Sequence, residues 1–164
     1  MQSPYNYFFD NTSETYQFST KNNIVYHVAF VEDHTLNSIS PSEFQFDNIY
    51  QIVVEKITNG IEPLDHQVSM TIDLIIHDFF SNIENALIYV CSNDKGKEVQ
   101  RFKSFNRWYV RSPNKSMVIK VDNRIQLEEG MIIYTSLLCH KDNPNLNSIL
   151  SAYQQIEDTL NTEK

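Results

Sequence analysis

The chain has 164 residues, near the common size of one domain, and 41% of them are hydrophobic while 21% are charged. This apolar content is well above the range in which chains stay disordered for lack of burial, so the composition excludes an intrinsically disordered protein. The net charge of -8 opposes long-range attraction to polyanions and argues against a dedicated DNA-binding protein.

The sequence carries no signal for secretion or for membrane insertion. Its first residues lack a cationic start followed by an apolar run, so no signal peptide is expected. The longest apolar stretch, residues 131–139, is shorter than the roughly 20 residues of a membrane-spanning helix and contains polar side chains. Cys91 and Cys139 end apolar runs and form no spaced pairs, as is typical of reduced thiols. We therefore expect a cytoplasmic protein without a membrane segment.

Aromatic and β-branched residues predict strands in the first part of the chain. Residues 15–18 and 24–31 flank the polar turn Lys21-Asn22-Asn23, which predicts a hairpin. A loop rich in Ser, Asn and Asp follows. A third strand is predicted over residues 49–58, where apolar residues alternate with others up to the turn at Asn59-Gly60.

The rest of the chain alternates helical and strand periodicities. Its predicted elements are helix 64–81, strand 86–90, helix 95–110, strands 117–122 and 131–140, and helix 147–160. Pro63 near the start of the first helix agrees with this assignment, and Glu129-Gly130 is predicted to complete the turn into the last strand.

The resulting order is βββαβαββα, with no linker and no repeat period. We predict a single α+β domain over residues 1–164, in which three helices pack on one mixed, mostly antiparallel sheet. The strand at 86–90 is entered and left by helices. We therefore expect it to pair parallel to the strand at 49–58 through a right-handed crossover.

The uneven distribution of charge is the feature most informative about function. Acids outnumber Lys and Arg by 21 to 13 in the whole chain, yet residues 95–120 contain eight cations and one acid, Glu98. On the second predicted helix, Lys97, Arg101, Ser104 and Trp108 share one face. The candidate binding residues are Lys97, Arg101, Lys103, Arg107, Trp108 and Arg111.

This basic and aromatic surface admits more than one interpretation. Its cations suit the phosphates of a single-stranded nucleic acid, with Trp108 as a stacking plane, or the carboxylates of an acidic protein. Charged residues also commonly cover solvated helix faces and pair with carboxylates of the same domain. Trp108 lies beside Phe105 and Tyr109 in the sequence, a setting that is also typical of a core residue.

No arrangement of residues predicts catalysis or metal binding. His66, Asp73 and His77 fall on one helix face, but their spacing is not that of a zinc-binding helix, and no cysteine pair has zinc spacing. Cys139 precedes His140, but neighbouring strand residues point to opposite faces, so Cys139 is expected in the core. A Gly-x-Ser-x-Gly elbow is absent from the sequence. We expect no catalytic residues, no metal and no cofactor.

Three blocks of sequence carry a resemblance to a known family. They are Tyr16-Gln17-Phe18-Ser19-Thr20 with Ile24-Val25-Tyr26-His27-Val28, Leu87-Ile88-Tyr89-Val90-Cys91, and Arg101-Phe102-Lys103-Ser104-Phe105-Asn106-Arg107-Trp108. In these blocks the chain resembles an uncharacterised family of small bacterial proteins, mainly from Bacteroidota, known as a domain of unknown function. The resemblance implies a family and no activity.

The order of three strands, helix, strand, helix and two strands is similar to the later part of the Gcn5-related acetyltransferase fold. In those enzymes, a Gly-rich turn before the first of these helices offers amide groups to the pyrophosphate of acetyl-CoA. The corresponding residues 59–65 include one Gly, two acids and a Pro without an amide hydrogen. Since fold alone does not confer function, we expect a non-catalytic binding or regulatory protein, with a degenerate or active acyltransferase as the alternative.

Overall fold

The computed structural model describes residues 1–39, 44–61, 63–91, 96–127 and 130–162. The strands are β1 (Tyr7–Asp10), β2 (Thr15–Ser19), β3 (Val25–Glu32), β4 (Ile49–Lys56), β5 (Ala86–Cys91), β6 (Val118–Gln126) and β7 (Ile132–His140). The helices are α1 (Thr35–Ile39), α2 (His66–Phe79), α3 (Glu98–Arg111) and α4 (Leu146–Thr162), with a short 3-10 turn at Pro113–Ser116.

The seven strands form one sheet in the order β1-β2-β3-β4-β5-β7-β6. The pairs β1–β2, β2–β3, β5–β7 and β6–β7 are antiparallel, whereas β4 and β5 are parallel, with Ile49 opposite Ala86. The prediction of an α+β fold with one mixed, mostly antiparallel sheet is therefore confirmed, including the parallel pair.

Three elements of the described residues were not predicted, namely β1, α1 and the 3-10 turn. Helix α1 lies in the stretch that the sequence predicts to be a loop, and it has only five residues. It forms because the Asp33 carboxylate accepts a hydrogen bond from the Thr35 amide (2.8 Å) and because Leu36 is buried in the core. The predicted turn at Glu129-Gly130 and the predicted helix start at residue 95 include residues outside the described ranges.

The first of two compact units comprises Met1–Val31 and Ile52–Asn82. Its core is built around Phe18, Val28 and Ile75, with aromatic side chains of β1 to β3 packed against it. Phe30 stacks on Phe79 of α2 with ring centroids 4.1 Å apart. Helix α2 begins where the Asp65 side chain accepts a hydrogen bond from the Gln67 amide (2.9 Å).

The second unit comprises Glu32–Gln51 and Ile83–Lys164. Residues 86 and 88 of β5 and residues 137 and 139 of β7 belong to the same buried cluster as α1 and α4. The alternate residues of these strands face the other side, where Tyr89 stacks on Phe105 of α3. Within this unit, α1 and α4 therefore cover one face of the sheet, and α3 covers the other.

Truncating a core leucine should destabilise the protein far more than removing the same atoms from an exposed leucine. Leu137 has no exposed surface, whereas Leu74 of α2 is 41% exposed. Leu137→Ala should lower the free energy of unfolding by about 2 to 5 kcal/mol, because it removes buried surface and leaves a cavity. Leu74→Ala should change it by less than about 0.5 kcal/mol. Urea denaturation measures both, and equal losses would contradict the assigned core.

Candidate functional site

The candidate surface is carried by helix α3, whose ends follow from local sequence. Glu98 in the first turn and Arg111 in the last turn both have favourable interactions with the helix dipole. The helix stops at Ser112, which is extended because it precedes Pro113. The Ser112 hydroxyl then accepts a hydrogen bond from the Asn114 amide (3.1 Å), which starts the 3-10 turn.

Aromatic rings attach α3 to the sheet. Phe105 stacks on Tyr89 of β5 with ring centroids 4.1 Å apart, and Phe102 packs against Tyr134 of β7 at 5.1 Å. The Tyr109 hydroxyl donates a hydrogen bond to the Val118 carbonyl of β6 (2.9 Å). No side chain of α3 is fully buried, and the rings that contact the sheet are half-buried.

One cation of the basic stretch lies beneath this helix. The Lys120 side chain is only 6% exposed, and its ammonium lies 5.4 to 5.9 Å from the ring centroids of Phe102, Phe105 and Tyr109. It forms an ion pair with Asp122, whose carboxylate also accepts a hydrogen bond from the Ser136 hydroxyl (2.7 Å). Cation–π attraction strengthens when the cation is shielded from water, so Lys120 stabilises the contact between helix and sheet.

The candidate residues predicted from sequence divide into two groups. Lys97, Lys103, Arg107 and Arg111 are exposed, while Arg101 and Trp108 are half-buried. Trp108 stacks against Phe105 at 5.1 Å, so it belongs partly to the packed underside of the helix.

Among the described residues, the exposed cations of α3 have no acidic partner within ion-pair distance. In the described part of the chain, no carboxylate oxygen lies within 4.0 Å of the charged nitrogens of Lys97, Lys103, Arg107 or Arg111. Arg107 donates instead to the Ser104 hydroxyl (3.1 Å). The exposed face of α3 also includes Val99 and Val110, which are 38% and 62% exposed. It is therefore a basic surface with apolar side chains, and we refer to these six residues as the α3 surface.

The histidines of α2 and the two cysteines are the other side chains that could take part in chemistry. His66 and His77 are exposed on α2, and among the described residues no cluster of His, Cys, Asp or Glu has a geometry suited to a metal ion. Cys139 is fully buried, as its apolar setting predicts, and burial raises the pKa of its thiol to about 11. Burial also raises the pKa of the Cys91 thiol, so neither thiol ionises readily at neutral pH.

The fold and surface define an α+β protein that presents a basic helix. Its sequence matches DUF6169, a family of unknown function, over residues 64–155, from the start of α2 into α4. This match covers more than half of the chain, so the chain belongs to that family. No significant match was found among curated proteins or among solved structures. No helix of the described residues has the length and apolar character needed to cross a membrane.

Lys120 should contribute to stability in a way that an exposed lysine of the same region does not. Lys120→Gln removes the shielded ammonium from the three rings and from Asp122, so we expect a loss of about 1 to 3 kcal/mol in the free energy of unfolding. The matched variant Lys103→Gln removes an exposed charge and should cost less than about 0.5 kcal/mol. Urea denaturation compares the two, and indistinguishable midpoints would show that Lys120 does not anchor α3.

Proposed function

We propose that the protein is a small non-catalytic binding protein that holds an acidic protein segment on the α3 surface. The observation that carries this proposal is the set of four exposed cations without a carboxylate partner in the described residues. On an ordinary solvated helix face, such cations commonly pair with nearby acids, which this chain has in excess.

The spacing of the cations supports the same proposal. Lys103, Arg107 and Arg111 follow one another at intervals of four residues and form a stripe about 12 Å long. Like charges at this spacing destabilise a helix by a few tenths of a kcal/mol per pair. Carboxylates of a partner would remove this repulsion, because each would lie between two cations.

An acidic protein fits the surface better than a single-stranded nucleic acid. Bases stack on exposed aromatic planes, but all four aromatic side chains of α3 are half-buried, and Trp108 is stacked on Phe105. Exposed Val99 and Val110 beside the cations suit apolar side chains of a peptide. The net charge of -8 would also repel a long polyanion at a distance.

The proposal can be tested with two labelled probes of equal length. One is a 20-residue peptide in which Glu and Leu are spaced so that they occupy opposite faces of a helix. The other is a 20-nucleotide single strand. Fluorescence anisotropy should show saturable binding of the peptide that weakens as salt rises, and weaker binding of the oligonucleotide. The variant Lys103→Gln/Arg107→Gln/Arg111→Gln should bind the peptide at least tenfold more weakly with an unchanged melting temperature.

A matched control separates the α3 surface from total charge. Lys21, Arg124 and Lys141 are exposed cations outside α3, and changing all three to Gln alters the net charge by the same amount. This variant should keep peptide affinity within about twofold of the wild type, since only screened long-range attraction is lost. Equal losses in both triple variants, or stronger binding of the oligonucleotide, would overturn the proposal.

The second candidate function is acyl transfer. Apart from α1 and the 3-10 turn, the elements from β2 to β7 follow the order on which the acetyltransferase resemblance rests, and β4 and β5 are parallel. The start of α2 does not favour it. There the Asp65 carboxylate accepts hydrogen bonds from the Gln67 amide (2.9 Å) and the Tyr5 hydroxyl (2.6 Å), and the Tyr5 bond lowers its pKa. A cofactor phosphate at this helix end would have to displace an existing anion.

Acetyl-CoA should therefore not stabilise the protein. A ligand present at 100 times its dissociation constant adds about 2.7 kcal/mol to folding stability and raises the melting temperature by several degrees. At millimolar acetyl-CoA we expect a shift of less than about 1 °C in a differential scanning fluorimetry experiment, since the helix end is occupied by Asp65. A saturable rise of several degrees would make acyl transfer the better proposal.

A further inference from the structure

The second unit contains a cavity that the α3 surface does not involve. It has a volume of about 170 Å³ and lies between α4 and the sheet. Ile88 and Val90 of β5, Ile133 of β7 and Ile156 of α4 contribute to its mostly apolar lining. A dry apolar cavity of about 150 Å³ is large enough to bind benzene, so this one can accommodate a ligand of roughly that size.

A buried acidic residue lines this apolar space. Asp33 lines the cavity and is only 7% exposed. It accepts hydrogen bonds from the Thr35 amide (2.8 Å) and from the Gln51 side-chain amide, which also lines the cavity. Among the described residues, no Lys, Arg or His nitrogen lies within 4.0 Å of it. A buried carboxylate with neutral donors alone is stabilised by an added cation.

Two hydroxyl groups line another part of the cavity. There the Tyr153 and Thr135 hydroxyls are hydrogen-bonded to each other. The pKa of Tyr153 is raised first by burial, with Thr135 opposing the rise and the carboxylates of Asp122 and Glu157 adding to it. Asp122 is itself paired with Lys120. Neutral hydroxyls and nearby carboxylates favour a cationic ligand over an anionic one.

We propose that this cavity binds a small primary amine with an apolar body, whose ammonium group pairs with Asp33. The hydrocarbon part would lie against Ile88, Ile133 and Ile156, and the ammonium would donate hydrogen bonds to the Asp33 carboxylate. The size of the cavity limits the ligand to one small ring or a short branched chain. This proposed binding site is independent of the α3 surface, because the two share no residue.

Isothermal titration calorimetry with benzylamine, benzyl alcohol and benzoate tests the proposal directly. The three probes share a ring and differ in charge. Benzylamine should bind saturably at one site, benzyl alcohol at least tenfold more weakly, and benzoate more weakly than the alcohol. Val90→Trp, which fills the cavity from an exposed strand position, should abolish benzylamine binding. Absence of benzylamine binding to the wild type, or equal affinity for amine and alcohol, would overturn the proposal.

A pair of neighbouring acids supplies the matched control. Asp33→Asn removes the carboxylate but retains a carbonyl oxygen for the Thr35 amide, and it should weaken benzylamine binding at least tenfold. Glu32→Gln removes the same charge from an exposed neighbour that does not line the cavity, and its affinity should stay within twofold. Equal losses in the two variants would mean that overall charge, rather than Asp33, attracts the amine. If Asp33→Asn does not fold, the ratio of amine to alcohol affinity in the wild type decides.

Discussion

The position of helix α3 depends on the shielded ammonium of Lys120. The helix has a strongly basic sequence and no fully buried side chain, and it contacts the sheet through half-buried aromatic rings. Three of its aromatic rings surround this ammonium, and Asp122 balances its charge from β6. Burying a lysine costs free energy unless the charge is compensated, and here rings and carboxylate supply that compensation together.

This arrangement determines what the helix presents to its surroundings. Because the rings are turned toward Lys120, Tyr89 and Tyr134, the outer face retains mainly cations and the small apolar side chains Val99 and Val110. A surface of this kind gains more from an acidic peptide than from stacked bases. On the other face of the same sheet, α4 closes over a cavity whose chemistry is opposite in sign, since Asp33 supplies a carboxylate there. The second unit thus presents a basic helix on one face of the sheet and a cavity lined by an acidic residue on the other.

The sequence predicts those parts of the fold that depend on local periodicity. The β2–β3 hairpin, α2 and the parallel β4–β5 pair follow from alternation, from three-and-four spacing and from the helices on both sides of β5. Helix α1 could not be predicted, because its five residues depend on the burial of Leu36 in a core formed by distant segments. Its only local signal is the Asp33 cap two residues before Thr35, which also occurs in many turns.

The sequence predicts that the candidate site is a basic helix, but it does not predict which of the side chains are exposed and which are buried. Sequence position groups Lys120 with the exposed cations, and only the pairing of β6 with β7 places it beneath the rings. Arg101 and Trp108 are half-buried for a similar reason, because the orientation of α3 on the sheet determines which side chains reach solvent. The cavity at Asp33 is likewise invisible in the sequence, since its walls come from segments far apart in the chain.

Native-state hydrogen exchange of backbone amides tests directly whether the rings and the Lys120 ammonium hold α3 on the sheet. A helix held by half-buried rings and one shielded cation should open locally, without unfolding of the sheet beneath it. Amides of Phe105 to Tyr109 should therefore exchange at a lower opening free energy than those of Leu137 and Leu138 in β7, which have no exposed surface. In the Lys120→Gln protein, this difference should widen. Exchange of both groups at one common free energy, in both proteins, would contradict the account.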